Sequence, residues 1–161
     1  MALKSVNKLV SGMYVLTTQE EGKDFGCLVN TAMEVSRNPG RIAVCLVKRN
    51  LTCDVLQRTH FFNFCALAET APYDLFRRFG MTSARKSEKF ADFPHLGRSA
   101  NGLAYLKDYA NMYLSAQVVE SVDLGDHMLF IGRITEDVVL SDVPTCTLAY
   151  FITHIQKNGA S

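Results

Sequence analysis

Short runs of β-branched, aromatic and other apolar residues recur along the chain between turn-forming segments. Six of these runs have the length and composition of β-strands: GMYVLTT, FGCLVNTA, RIAVCLV, HFFNFCAL, YLSAQVVESV and HMLFIGRITEDVVL. The intervening EEGKD, RNPG and DLGD carry the Gly, Pro and Asp residues of tight turns. The pattern predicts a mainly β fold with some α structure (α+β), arranged as a small barrel.

Helix signals are fewer and lie between the predicted strands. Residues Leu51 to Arg58 follow Asn50, a residue type that caps helix N-termini. TAPYDLFRRFG predicts a second helix, with Thr70 as its cap, Pro72 in its first turn and Gly80 at its end. ALKSVNKLV predicts a third helix near the N-terminus. We expect these helices to bridge the strands.

The segment from Met81 to Gly102 has little hydrophobic periodicity and is rich in Gly, Ser, Pro and charged residues. In a compact domain, a long segment of this kind is usually a functional or lid-like loop. The 161 residues, 48% of them hydrophobic and 20% charged, are enough for one domain with a substantial core. We therefore predict a single domain over residues 1–161.

Charge and cysteine usage narrow the possible partners and the compartment. Seventeen basic and sixteen acidic residues give a net charge of +1, which argues against nucleic-acid or anionic-membrane binding. The N-terminus has no apolar run typical of a signal peptide or membrane span, so we expect a cytoplasmic protein. The five cysteines are odd in number, lack C-x-x-C spacing and predict reduced core thiols and no metal site.

The motifs of several common enzyme classes are absent from the sequence. There is no Walker A loop, no G-x-G-x-x-G, no G-x-S-x-G and no H-E-x-x-H. No pairing of a nucleophile with a base is evident from the sequence either. These absences favour chemistry carried out by a bound cofactor.

Four blocks of residues follow one another along the chain: SGMYVLTT, the segment from Asn30 to Thr52, FGMTSARKSEKF and GDHMLFIGRI. In this order they resemble the flavin reductase-like family of FMN-binding split barrels. SGMYVLTT is similar to the family's first strand, FGMTSARKSEKF to its F-G-x-x-S-G-R-x-x-D-K-F loop, and GDHMLFIGRI to its histidine-bearing strand. The other block consists of Asn30, Thr31 and Ala32, the turn residues Val35, Ser36 and Pro39, the strand IAVCLV, and Lys48, Asn50 and Thr52. The resemblance extends from about Gly12 to Arg133.

This resemblance implies a six-stranded antiparallel split β-barrel with Greek-key features and a few peripheral helices. It also implies bound FMN, NADH or NADPH as electron donor, and a homodimer with the flavin at its interface. The family needs no separate dinucleotide-binding domain, which fits the missing Rossmann fingerprint.

The resemblance assigns residues to the flavin ring. An isoalloxazine ring needs hydrogen bonds along its pyrimidine edge and an apolar wall, which a kinked NTAMEV strand with accessible backbone N–H groups can supply. The predicted ring contacts are Asn30, Thr31, Ala32, Met33, Cys45 and Leu46. Locally, Asn30 and Thr31 are equally consistent with a strand end and turn, and Cys45 with a buried structural thiol.

A second group of residues is assigned to the FMN phosphate. A phosphate favours a helix N-terminus with hydroxyl and cationic side chains. The predicted contacts are Lys48, Asn50 and Thr52 at the helix start and Ser83, Arg85 and Lys89 in the following loop. The local alternatives are an ordinary N-cap and a solvated basic loop.

The resemblance also predicts that His127 is catalytic, orienting the cofactors or supplying a proton near neutral pH. A lone histidine at a strand start is otherwise structural in most proteins.

Three functions are open at this point. The first is an NAD(P)H-dependent flavin reductase. The second is a flavoredoxin-like electron-transfer protein that keeps its FMN and serves a partner of the rubredoxin or flavodiiron type. The chain has no C-x-x-C pair, so a rubredoxin partner would be a separate protein or lie on a missing segment. The third is a flavin-free barrel that binds a ligand or nucleic acid, which the balanced charge disfavours.

Overall fold

Nine β-strands are the main regular elements of the structure, a computed structural model that describes residues 3–83 and 88–159. In chain order they are β1 (Tyr14–Glu20), β2 (Lys23–Val29), β3 (Ala32–Arg37), β4 (Gly40–Val47), β5 (Phe61–Leu67), β6 (Leu96–Arg98), β7 (Ala104–Leu106), β8 (Ala110–Asp123) and β9 (His127–Val139). Strands β6 and β7 pair with each other as a hairpin. The other seven form one antiparallel sheet in the order β2-β1-β5-β8-β9-β4-β3.

The helices are short and confirm the mainly β prediction. They are α1 (Leu51–Thr59), α2 (Tyr73–Phe76) with a π-helical turn (Arg77–Met81), α3 (Leu148–Tyr150) with a π-helical turn (Phe151–Gln156), and α4 (Lys157–Gly159). The α1 prediction is confirmed, because the Asn50 side chain caps it by accepting a hydrogen bond from the Thr52 backbone N–H at 3.0 Å. In the described ranges, none of these helices is long and apolar enough to cross a membrane.

The prediction of six strands is wrong. The main sheet has seven strands, and β6 and β7 form an additional hairpin. Strand β3 was missed because most of its residues are exposed, so its sequence lacks an apolar pattern. The sheet ends at β2 and β3, which do not pair with each other in the described part of the chain. The predicted lid-like loop Met81 to Gly102 contains a β-strand, β6.

Two helix predictions also need correction. Pro72, and not Thr70, occupies the N-cap of α2, and it provides no side-chain cap. Gly80 does not end the helix, because the π-helical turn continues to Met81. Near the N-terminus only a 3-10 turn (Val6–Lys8) forms, and none of its residues is buried, so no apolar face stabilises a longer helix there.

Two hydrophobic clusters lie on opposite faces of the central strands. One unites Cys27 on β2 with Val44 on β4, so the sheet curls until strands from its two ends share one core. The other cluster packs α2, β7 and Phe151 against the second face of β1 and β5. Because β1 and β5 are buried on both faces, each has several consecutive buried residues, which include the polar Thr17 on β1 and Asn63 on β5.

All five thiols lie in the described ranges and are unpaired; four of them are buried, as expected of core thiols, whereas Cys45 is only partly buried. Burial raises the pKa of Cys27 and Cys65 to about 12 and that of Cys53 and Cys146 to about 11. These thiols stay protonated, and hence unreactive, at neutral pH.

Candidate functional site

Strands β4 and β9 present a half-exposed surface on the side away from the core. Residues directly opposite each other in an antiparallel pair share a face. The register therefore places three facing pairs on this surface, which we call the outer face: Ala43 with Ile131, Cys45 with Leu129, and Val47 with His127. Leu46 and Val44 point to the opposite side and are buried in the core. The outer face is mainly apolar, with a histidine at one end.

The segment between β2 and β3 forms a polar edge next to the outer face. Asn30 and Thr31 are exposed, and the Thr31 hydroxyl donates to the Asn30 amide oxygen at 3.3 Å. The Thr31 carbonyl accepts from the Cys45 backbone N–H at 3.1 Å, which holds this segment against β4. Met33 lies opposite Ala43 and is 63% exposed. The polar interruption in the sequence thus marks the crossing from β2 to β3.

These positions determine which of the residues predicted to contact the ring lie near one another in the structure. The structure brings Asn30, Thr31, Met33 and Cys45 together along the side of the outer face that adjoins β3. Ala32 is half-buried and packs against the core cluster. The Leu46 side chain does not reach the outer face, because alternation along β4 turns it into the core. Only its backbone can meet a ligand there.

A cleft of about 450 Å³ lies at the N-terminal end of α1. It adjoins the outer face, because Val47 belongs to both. We call it the α1 cleft, and its lining residues are Leu28, Val47, Arg49, Asn50, Phe79, Gly80, Met81, Thr82, Ser83 and Lys89. Two cationic side chains, two hydroxyls and a helix N-terminus therefore converge on one cavity, which is the donor chemistry that a phosphate requires.

Lys89 is the most deeply placed cation of the α1 cleft. It is 5% exposed, and its Nζ donates to the Gly26 carbonyl at 2.9 Å and to the Phe79 carbonyl at 3.2 Å. Burial lowers the pKa of this ammonium, while the nearby Cys27 raises it. An ammonium has three donors, and the carbonyls of Gly26 and Phe79 take two of them within the described part of the chain.

The structure places the residues of the phosphate prediction at different sites. Asn50, Ser83 and Lys89 line the α1 cleft. Thr52 is fully buried beside the Cys27 thiol, so its side chain does not reach the cleft. Arg85 lies outside the residues that the structure describes.

Lys48 is directed away from the α1 cleft toward the turn between β8 and β9. Its Nζ forms a 2.5 Å ion pair with Asp123, and its backbone N–H donates to the Asp126 carbonyl at 2.9 Å. The ammonium holds the pKa of the Asp123 carboxyl below its usual range, through a hydrogen bond in the first place.

His127 follows that turn and lies on the outer face beside Val47. Its Nδ1 is 2.8 Å from Asp126 Oδ1. The hydrogen bond from His127 lowers the pKa of the Asp126 carboxyl, so this carboxylate is ionised at neutral pH. The histidine predicted to be catalytic is thus half-exposed and next to the α1 cleft.

Arg49, Thr82 and Gly80 line the α1 cleft and were not predicted. Arg49 lies inside the K-x-N-x-T block. Its position beside the helix cap, as a second cation after Lys48, is the feature of the sequence that could have identified it. Gly80 is a packing requirement, because a Cβ there would lie 2.7 Å from the Leu28 side chain. Among the residues that the structure describes, no three His, Cys, Asp or Glu side chains are placed to hold a metal ion.

Known proteins resemble this chain along nearly its whole length. A family model described as "Flavin reductase like domain" matches residues 6–159. The High molecular weight rubredoxin of Moorella thermoacetica is 34% identical over 161 residues, covering 100% of this chain and 69% of that protein. The Ferric-chelate reductase (NAD(P)H) of Archaeoglobus fulgidus is 30% identical over 159 residues, covering 99% of this chain and 92% of that protein.

A solved structure shares the fold. The FMN-binding protein from Thermus thermophilus with bound 1-cyclohex-2-enone aligns with a TM-score of 0.75 at 20% identity, over 82% of this chain and 72% of that one.

Proposed function

The chain belongs to the flavin reductase like domain family, and on that premise we propose that it is an NAD(P)H-dependent flavin reductase that binds FMN. The overall reaction is NAD(P)H + FMN + H⁺ → NAD(P)⁺ + FMNH₂, in which the flavin supplies the hydride-accepting chemistry. The observation that carries the proposal is the union of the α1 cleft with the outer face through Val47.

The donors of the α1 cleft fit a phosphomonoester, which carries about 1.5 to 2 negative charges at neutral pH. Arg49 and Lys89 supply cationic donors from two sides. Asn50 uses its side-chain oxygen to cap α1, so its NH₂ group is the part of the amide available to a ligand. The N-terminus of α1, a helix of nine residues, adds a favourable dipole.

The outer face fits the other part of the cofactor. Cys45 and Val47 provide an apolar wall, and Asn30 and Thr31 provide hydrogen-bonding groups at its edge. His127 stands at the end of this wall that is nearest the α1 cleft. We assign it the role of orienting the nicotinamide and flavin or of holding the proton that the reaction consumes.

We also propose that the protein is a homodimer with the flavin at its interface. Met33 is 63% exposed and Val35 46%, next to the outer face. Val122 extends the same apolar surface from β8, where it pairs with Leu129. An exposed apolar patch of this kind on a domain with balanced charge is typical of a protein interface.

A charged substitution on this surface tests the dimer. M33E would place a carboxylate within the apolar contact, so we expect sedimentation velocity to show monomers and FMN affinity to fall. The matched control is E34Q, at an exposed position on the same strand whose carboxylate pairs with Arg37; it should keep the wild-type mass. A monomeric wild-type protein that binds FMN normally would contradict the interface proposal.

The compartment and the remaining partners rest on simpler arguments. Five unpaired thiols are typical of a reducing environment, and we infer a cytoplasmic location. The net charge of +1 supports small molecules and proteins, rather than nucleic acids or membranes, as partners.

The decisive experiment is visible spectroscopy of the purified protein with added FMN, followed by anaerobic addition of NADH or NADPH. We expect a stoichiometric yellow complex that bleaches rapidly. Riboflavin, which lacks the phosphate, should bind at least about tenfold more weakly if the α1 cleft holds that group. Failure to bind any flavin would overturn the proposal, and equal affinity for riboflavin and FMN would overturn the phosphate assignment.

One observation favours a second candidate, an electron-transfer protein with permanently bound FMN. The relative with 34% identity is named a rubredoxin and is longer than this chain. A redox protein or domain of the rubredoxin or flavodiiron type would then be the partner. FMN that resists reduction by NADH and NADPH, yet is reduced by such a partner, would favour this candidate over the reductase.

A further inference from the structure

The turn between β8 and β9 is built so that its side chains are held in place. Gly125 adopts φ +105°, a left-handed region that favours glycine. Its N–H donates to Asp123 Oδ1 at 2.9 Å, and the Leu124 N–H donates to the His127 carbonyl at 2.9 Å. The carboxylate of Asp123 and the backbone of His127 are therefore both fixed by the turn itself.

Lys48 fastens this turn to the end of β4. Its backbone N–H binds the Asp126 carbonyl, and its ammonium binds the Asp123 carboxylate. Lys48 thus holds the turn at two points, once through its backbone N–H and once through its charged side chain. The end of β4 also contributes Val47 to the α1 cleft, so the turn is attached directly to the wall of the candidate site.

The other carboxylate of the turn, that of Asp126, is hydrogen-bonded to the His127 ring. An ionised carboxylate only accepts hydrogen bonds, so the nitrogen that faces it must carry a proton. In a neutral imidazole the other nitrogen is then an acceptor, because one ring nitrogen sets the tautomer of the other. The contact of Nδ1 with Asp126 Oδ1 consequently leaves Nε2 as the acceptor.

We propose that Asp126 is a positioning residue that fixes the tautomer and ring orientation of His127, and that Lys48 and Asp123 hold Asp126 in the place required. This inference rests on the proposed reductase function for its catalytic consequence, and not for the hydrogen bond itself. It also gives Lys48 a role different from the phosphate contact predicted from the sequence. Arg49, the next residue, is the cation that lines the α1 cleft.

Two neighbouring cations should accordingly have separable effects. Loss of the Lys48 ammonium releases the turn and disturbs His127, while the α1 cleft keeps its donors. Loss of the Arg49 guanidinium removes a donor from the cleft and leaves the turn intact. The two residues are adjacent in sequence, so this contrast is a strict test of the geometry.

The hydrogen bond is tested first by ¹⁵N NMR of the histidine rings in the protein without added cofactor, at about pH 8, where an ordinary imidazole is neutral. We expect His127 to be the Nδ1-protonated tautomer in the wild-type protein. In D126A its ring shifts should move toward the tautomer mixture of free imidazole, and H127Q assigns the signals.

A matched pair elsewhere in the fold provides the control. His95 Nδ1 lies 2.6 Å from Asp108 Oδ2, away from the α1 cleft and the outer face. D108A should change the His95 signals and leave those of His127 unaltered, and D126A should do the reverse. Identical His127 ring shifts in the wild type and D126A would overturn the proposal.

Kinetics then test the catalytic consequence. D126A and K48M should each slow flavin reduction about tenfold at saturating FMN, in the range found when a partner that orients a functional histidine is lost. Neither should change the Kd for FMN more than twofold, whereas R49M should raise it about tenfold. Wild-type rates in D126A would overturn the positioning role.

The same experiments separate this inference from the proposed function. A wild-type protein that neither binds flavin nor oxidises NAD(P)H would refute the reductase, while the NMR result would still decide the Asp126–His127 pair.

Discussion

Asn50 combines a structural role with a proposed binding role in one side chain. Its oxygen caps α1 through the Thr52 N–H, and the residue also lines the α1 cleft. Asp caps helices as well as Asn does, but it carries a negative charge. Substitutions at this position can therefore separate helix stability from anion binding.

We predict that N50D leaves the free energy of unfolding within about 0.5 kcal/mol of the wild type. The added carboxylate faces the α1 cleft and should weaken FMN binding at least about tenfold by charge repulsion. Urea unfolding and fluorescence titration with FMN measure the two effects. N50A provides the comparison: it removes the cap and should cost about 1 kcal/mol of stability. If N50D bound FMN as tightly as the wild type, the assignment of the phosphate to the α1 cleft would be wrong.

The residues of the candidate site were predictable where a local motif carries them. Asn50, Ser83 and Lys89 occur in the K-x-N-x-T and loop blocks, and they meet in the α1 cleft. The direction of a side chain was harder to predict. Lys48 turns toward Asp123, a contact 75 residues away in sequence that no local pattern announces.

At the scale of secondary-structure elements, the centre of β9 depends on a glycine for close packing. A Cβ at Gly132 would lie 2.8 Å from the Phe62 ring and 3.0 Å from the Ala116 Cβ. Phe62 is fully buried in the core, so its ring has little room to move aside. Strand β9 also carries His127, which connects this packing to the candidate site.

We expect G132A to lower the free energy of unfolding by about 1 to 3 kcal/mol, the usual cost of overpacking a core. G40A is the matched control, because the nearest side-chain atom to a Cβ at that position is 3.8 Å away. Urea denaturation of both variants measures the difference. Equal stability of G132A and the wild type would mean that the strands can separate without penalty at this point.

The elements themselves were predictable to different degrees. Strands β1, β4 and β5 could be predicted from their apolar residues, because these strands contribute to the core and buried positions are mostly apolar. Strand β3 is mostly exposed, and β6 and β7 have three residues each, so none of the three produces a recognisable pattern of hydrophobic residues. Each pairs with a strand that is close in sequence, β3 with β4 and β6 with β7, but this pairing leaves no pattern of hydrophobic residues in the sequence.

At the scale of the whole molecule, the buried thiols couple stability to alkaline pH. The pKa of Cys27 and Cys65 is raised to about 12, and that of Cys53 and Cys146 to about 11, in each case chiefly because burial disfavours the thiolate. The ordinary value is 9.0. Above that pH the unfolded chain releases these protons while the native protein retains them, so stability falls as the pH rises.

We predict that the stabilising contribution of these four thiols is complete below about pH 9 and is lost progressively between about pH 9 and 12. At pH 10 each thiol should account for about 1 kcal/mol of lost stability. Urea unfolding at a series of pH values measures this loss. C65A provides the control: its stability at neutral pH will differ, but its decline between pH 8 and 10 should be shallower by one thiol's share. Parallel declines in C65A and the wild type would show that Cys65 ionises as readily in the folded protein as in the unfolded chain.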